Sequence, residues 1–288
     1  MNNNKSMAII ICYYGKFPWY FDYFLHSCSY NHSVDFFIIT DIDTWLKPLP
    51  ANVKFIYKTL KDINNIAANK LGFKVNIEDP YKLCDFKPAY GLLFSELLVN
   101  YDFWGQSDID IIYGNIRDFI TDNVLSEFDF ISIRHDYTTG CFALYKNIAF
   151  VNNLFKRSKD YINVFTDNKH FCFDECNFVH GFLEDGGSIL EIETEIESFT
   201  RVVKLAERNN EIKAHFDFIL IKGTTGRVMF DKGRVFYKRR FEGILYHMFW
   251  LKRIYDPGKS ILNIPETYYI SPTKIYHRSK SKIMANEF

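Results

Sequence analysis

The chain has 288 residues, with 35 basic and 35 acidic side chains, so no net field favours a polyanion and nucleic acid is not an expected partner. Aromatic residues make up 18% of the sequence, 29 Phe and 19 Tyr, enough to stiffen one large α/β core and to line a cleft with rings. Apolar runs stay shorter than the roughly 18 to 20 residues that span a bilayer, and the start MNNNKSMAIIICYYG lacks the apolar core and cleavage site of a signal peptide, so a cytoplasmic protein is expected.

Met7 to Tyr13 is an apolar run of strand length, punctuated by Gly15 and Pro18. Trp19 to Tyr30 is predicted helical, and VDFFIIT, Val34 to Thr40, is a second buried strand ending at Asp41. Val53 to Tyr57 reads as a third strand and Leu60 to Leu71 as a helix, an alternation that begins an α/β fold. Asp79-Pro80 signals a turn, and Lys87-Pro88 heads a predicted helical run, AYGLLFSELLVN.

Phe103 to Gln106 is a predicted strand arriving from the core at Asp108 and Asp110. Alternation along a strand places two acids one residue apart on the same side, where they can share one hard divalent cation. Without a cation the two carboxylates would repel, so replacing either is expected to be neutral or stabilising. Ile111 to Gly114 returns to the core. Ile116 to Leu125 is predicted helical, Phe128 to Ile133 and Cys141 to Tyr145 are predicted strands, and Ile148 to Arg157 has helical spacing. Phe173 to Leu183 is read as a helix, and Phe216 to Tyr237 as strands turning at Gly223, Gly226 and Gly233. The last element is expected to end near Leu251. One domain over residues 1–255 is expected, followed by an extension and basic tail over 256–288.

The other D-x-D, Asp41-Ile42-Asp43, also follows an apolar strand and resembles the start of a haloacid-dehalogenase-like phosphatase. That family wants Thr or Val two places after the second acid, where this chain has Trp45. Asp41 at the end of a strand is still expected to line the cleft. Cys172, Cys176 and His180 fall at four-residue steps, but without a second ligand pair they read as the buried face of a helix rather than a zinc site. The six cysteines, scattered among apolar residues, suggest reduced thiols and no disulfide framework. Asp174 and Glu175, set among aromatics, are candidates for a general base or for binding acceptor hydroxyls.

The segments CDFKPAYGLLFSELL, YDFWGQSDIDIIYGNIRDF, TTGCFALYKN, FDECNF and ILYHMFWLKR together resemble the nucleotide-sugar glycosyltransferases of the GT-A fold, in particular a bacterial D-x-D family of that class. The resemblance implies a single Rossmann-like domain, a mixed, mostly parallel sheet flanked by helices. It also implies transfer of a sugar from a nucleotide-diphosphate donor, a UDP-sugar by expectation, to a hydroxyl of a saccharide or lipid-linked saccharide, as in bacterial surface polysaccharide synthesis. Asp108 and Asp110 then match the pair that holds Mn²⁺ or Mg²⁺, and His247 a late metal ligand. Lys87 lies where a basic residue meets the donor, Tyr13 and Asp41 lie at the base and ribose, and Asp174 or Glu175 is the acceptor-side acid. The competing readings are a metal-dependent phosphatase and a non-catalytic carbohydrate-binding protein. Basic groups at Lys238-Arg239-Arg240, Lys252-Arg253 and Arg278 to Lys282 are candidates for peripheral contact with an anionic membrane face.

Overall fold

The computed structural model describes residues 5–223, 226–258 and 263–277. The strands are, in chain order, β1 (Met7–Cys12), β2 (Val34–Thr40), β3 (Val53–Tyr57), β4 (Phe103–Ser107), β5 (Ile111–Tyr113), β6 (Phe130–Ser132), β7 (Phe142–Lys146) and β8 (Ala214–Phe216). Then come β9 (Leu220–Ile221), β10 (Val228–Asp231), β11 (Arg234–Tyr237), β12 (Phe241–Gly243), β13 (Leu245–His247), β14 (Thr267–Ile270) and β15 (Ile275–Tyr276).

The central sheet runs β3-β2-β1-β4-β7-β6-β8. Its pairs are parallel except where β7 meets β4 and β6, so one strand of the seven is reversed. This is the mixed, mostly parallel sheet that the sequence led us to expect, with the order reversing direction at β1 and β4. Ligands of open α/β sheets gather at the carboxyl ends of such strands. Alternation along β1 explains the layering. Met7, Ile9 and Ile11 enter one apolar layer, while Ala8 and Ile10 enter the other.

Helix Phe21–Cys28 packs into the first layer. Helix Leu60–Leu71 contributes to the second; it opens with a Thr59–Asp62 capping box and closes on Gly72 at φ +83°. Around the first layer lie two smaller sheets, β5-β13-β9 and β12-β11-β10-β14-β15. No helix among the described residues is long and apolar enough to cross a membrane.

Several predicted elements differ in extent. The run after Lys87-Pro88 is broken into the short helix Tyr90–Leu93 and flanking 3₁₀ turns, and Ile116–Leu125 is two short helices, Ile116–Phe119 and Asp122–Glu127, the second capped by Thr121. Phe173 to Leu183 is not one helix. Cys172, Asn177 and Phe178 have φ of +53°, +52° and +66°, left-handed values that no α-helix admits, and only His180–Glu184 is helical. Order also does not stop near Leu251, since β14 pairs with β10 across Val228–Asp231. Arg278 to Lys282 lie outside the described residues.

Candidate functional site

Four chain segments leave the central sheet at one edge. Because β1, β2 and β4 are parallel, Tyr13, Asp41 and Asp108 all follow their carboxyl ends. The reversed β7 brings its own start, Thr139-Gly140-Cys141, to the same edge, since Ser107 pairs with Phe142. Topology therefore gathers residues 13, 41, 108 and 140.

The sheet β5-β13-β9 adds the late segment. β13 runs antiparallel to β5 with His247 opposite Ile111, and the Met248 N–H donates to the Asp110 carbonyl at 2.9 Å. That register places the imidazole on the acid, with His247 Nε2 3.1 Å from Asp110 Oδ2. Ligand atoms of Asp108, Asp110 and His247 all lie within 4.8 Å of one another. Leu245 and Tyr246 anchor β13 in the core, while the His247 ring reaches the acids.

Each acid of the pair is met by a lysine. Lys87 Nζ donates to Asp108 Oδ1 at 2.7 Å and to the Gly140 carbonyl at 2.9 Å, and lies 3.8 Å from Asp174 Oδ2. Lys252 Nζ lies 2.7 Å from Asp110 Oδ2. The expected repulsion between Asp108 and Asp110 is thus relieved by two ammonium groups and an imidazole, which removes the ground for expecting a neutral or stabilising substitution. Burial works against ionisation of Asp110, but the charges and hydrogen bonds of His247 and Lys252 outweigh it and hold the carboxyl well below the usual range. Burial likewise opposes protonation of His247, yet the facing Asp110 raises the imidazole well above its ordinary value.

On the other flank of Gly140 the two acids of FDECNF take different states. Asp174 is 3% exposed, and burial raises its carboxyl well above the ordinary range against the pull of Lys87. Burial would raise Glu175 too, but His180 Nε2 at 2.7 Å from Oε2 and the Gly140 N–H at 2.8 Å from Oε1 bring it down to about 2. The backbone of this turn is tied to the Thr138 loop and helix Phe199–Arg208. Thr138 Oγ1 donates to the Asp174 carbonyl at 2.7 Å, and the Thr200 N–H to the Glu175 carbonyl at 3.1 Å.

Tyr13 and Asp41 stand at the same edge without joining the cluster. The Tyr13 hydroxyl donates to the Lys16 carbonyl at 3.2 Å, and exposed Asp41 accepts from the Gly15 N–H at 3.3 Å. Among the described residues Asp41 and Asp43 belong to no group of three metal-capable side chains, whereas Asp108 and Asp110 do.

A family model described as a family of unknown function, DUF6625, matches residues 9–279. The chain belongs to this family. No curated protein sequence matches it. Among solved structures, the galactosyltransferase LgtC with donor and acceptor sugar analogues is similar at 11% identity over 76% of this chain and 77% of that one, with a TM-score of 0.36. Apo mouse xyloside xylosyltransferase 1 is similar at 9% identity over 84% and 97%, with a TM-score of 0.41. An active-site mutant of LgtC is similar at 11% identity over 76% of each chain, with a TM-score of 0.34.

Sequence reading missed four participants in this DUF6625 site. Lys252, read as facing a membrane, is turned onto Asp110 by the helix Leu251–Ile254, which starts four residues after His247. His180, read as a neighbour of two thiols, pairs with Glu175. Gly140 is where a Cβ would meet Asp174 Oδ2 at 2.5 Å, so only glycine lets Lys87 and both acids converge. Asp85 is fully buried and accepts from the Phe171 and Phe173 N–H groups at 2.9 and 2.8 Å, which fixes the start of the Asp174 turn. The sequence signal for Asp85 was its place in CDFKPAY, two residues before Lys87.

Proposed function

We propose that this protein is a metal-dependent glycosyltransferase that moves a sugar from a nucleotide-diphosphate donor to a hydroxyl of a saccharide, free or lipid-linked, in the synthesis of bacterial surface glycans. The observation that carries the reading is the meeting of Asp108 and Asp110 with His247, 137 residues beyond Asp110, at the carboxyl edge of a mostly parallel sheet. The donor set fits the metal. Two carboxylates and an imidazole within 4.8 Å suit Mn²⁺ or Mg²⁺, and the lysines already on those oxygens show that the site draws positive charge.

When bound, the cation supplies neutralisation of the charge that builds on a departing diphosphate. Asp108, Asp110 and His247 would hold it. Lys87 and Lys252 are the further cations in reach of a phosphate, and both can leave a carboxylate that the metal takes over. Tyr13 and Asp41, one and two strands over, are assigned to the nucleoside, uridine by preference. Asp174, a buried carboxyl that holds its proton, is the acid–base group on the acceptor side. Glu175, kept ionised by His180 and the Gly140 N–H, adds a negative charge that helps Asp174 keep its proton.

The test is thermal unfolding with UDP, GDP and their sugars, each with Mn²⁺ or with excess chelator. A diphosphate present at about 100 times its Kd should stabilise by roughly 2.7 kcal/mol. The gain should vanish without metal. Equal stabilisation in chelator would reject the metal-bridged diphosphate, and phosphate release from a simple ester without sugar transfer would favour a phosphatase.

A further inference from the structure

The turn after Phe171 brings a thiol, a carboxylate and an imidazole together at a place that the donor side does not use. Cys172 Sγ lies 3.6 Å from Glu175 Oε2 and 3.8 Å from His180 Nε2, and the last two atoms are 2.7 Å apart. A tetrahedral zinc ion, with bonds of about 2.3 Å to sulfur and about 2.0 to 2.2 Å to nitrogen and oxygen, spaces its ligand atoms by roughly 3.3 to 3.6 Å. The 3.6 Å sulfur edge already fits, and the 3.8 Å edge has to close slightly. The short third edge is the His180–Glu175 hydrogen bond, which opens when the two share an ion.

The local backbone is committed to this convergence. Cys172, Asn177 and Phe178 are all left-handed, a costly arrangement for residues with side chains. The Asn177 N–H donates to the Cys172 carbonyl at 3.0 Å and its side chain to the Phe171 carbonyl at 2.9 Å, which holds the turn closed. Cys172 is buried, while the side chains of His180 and Glu175 are 32% and 24% exposed. An ion therefore has a route in and a position left for water. The Tyr137 ring packs edge-on to the imidazole at 5.0 Å and limits its orientation.

We propose that Cys172, Glu175 and His180 form a three-ligand site for a zinc-class divalent ion, distinct in its ligands from the Asp108/Asp110/His247 group. The mixed sulfur, nitrogen and oxygen set favours Zn²⁺ or Co²⁺ over Mg²⁺, whereas the other group, rich in oxygen, has the opposite preference. Binding deprotonates the Cys172 thiol and displaces the proton that His180 Nε2 holds toward Glu175, both passing to solvent, and takes Glu175 Oε2 while Oε1 stays on the Gly140 N–H. Occupancy is thereby felt at Gly140, whose carbonyl accepts from Lys87. The proposal does not depend on the glycosyltransferase reading.

The test is titration of the chelator-treated full chain with Co²⁺, followed by Zn²⁺. One equivalent of Co²⁺ should give tetrahedral d–d bands with a thiolate-to-cobalt charge-transfer band, and Zn²⁺ should bleach both. Asp110→Asn should keep the band, and Cys172→Ser should lose it. His180→Ala, at a partly exposed position, should weaken Co²⁺ binding by at least about tenfold, since even outer-shell partners matter on that scale. Absence of the band in the wild type, its persistence in Cys172→Ser, or unchanged affinity in His180→Ala would each overturn the site. If Cys172→Ser fails to fold, the wild-type spectrum and His180→Ala decide alone.

Discussion

Asp110→Asn tests the electrostatics of the site directly, because the carboxylate is 4% exposed and faces Lys252 Nζ at 2.7 Å and His247 Nε2 at 3.1 Å. Removing one partner of a buried ion pair costs about 3 to 5 kcal/mol when the remaining charge stays buried. Two features lower that cost here. The Lys252 side chain is 30% exposed and can turn to water, and His247 can shed its proton. A loss of about 1 to 3 kcal/mol remains, from the unpaired ammonium and a carboxamide N–H₂ placed against it. For a chain of this length that is a fall of roughly 2 to 5 °C in Tm.

The pH dependence follows from the two shifts. Asp110 is depressed when folded, so its share of stability is present above the unfolded value of about 3.9 and is lost as pH falls toward the folded one. His247 is raised when folded, so its share is complete below about 6.5 and is lost as pH rises through the folded value. The wild-type advantage over Asp110→Asn should therefore be largest between about pH 4 and 6.5. Urea unfolding of both proteins in metal-free buffer across pH measures it, and NMR titration of His247 should show its pKa fall in the variant. A variant as stable as the wild type throughout would refute the reasoning, because it would mean that Asp110 repels Asp108 instead of pairing with Lys252 and His247.

Gly140→Ala would put a methyl 2.5 Å from Asp174 Oδ2 and 3.2 Å from Glu175 Oε1. Such overpacking costs about 1 to 3 kcal/mol, and a urea midpoint equal to wild type would show that the loop has room to yield. Asp85→Asn removes the charge that faces Lys82 Nζ at 2.9 Å and His170 Nδ1 at 3.2 Å, with no exposure of the acid side chain. It should cost about 3 to 5 kcal/mol, the largest single loss among the acids considered, and a smaller loss than that of Asp110→Asn in parallel melts would place the structural centre elsewhere. Asp41→Asn, at an exposed acid whose contact is one long hydrogen bond, should leave the Tm within about 1 °C.

The strands were legible because their apolar runs are short, β-branched or aromatic, and bounded by turn residues. The runs at Met7, Val34, Val53 and Phe103 form strands within one residue of the expected limits. The acidic pair was legible for the same reason, since the carboxyl end of a buried strand is an address that the sequence states. What could not be read was the Asp174 turn. Periodicity over Phe173 to Leu183 matches a helix, and only tertiary bonds from Asp85, Thr138 and Thr200 reveal that Asn177 and Phe178, with Cys172 just before, sit at positive φ instead. Propensity is a weak prior, and here a buried acid 88 residues upstream overrides it.

The same limit explains Lys87. A lysine before a proline at the head of a helical run looks like a solvated charge, and the family resemblance placed it near the donor without saying how it is held. In the fold it is 5% exposed, and burial would drive its proton off but for the Asp108 carboxylate, which raises it well above its ordinary value. It therefore stays charged where an uncompensated lysine could not. Because Lys87 touches Asp108 and the Gly140 carbonyl while Asp174 lies 3.8 Å away, a phosphate that draws it from Asp108 also alters the field at Asp174. Donor binding and the acceptor-side acid are coupled through one ammonium group, which no spacing rule in the sequence could state, since its partners lie 21, 53 and 87 residues downstream.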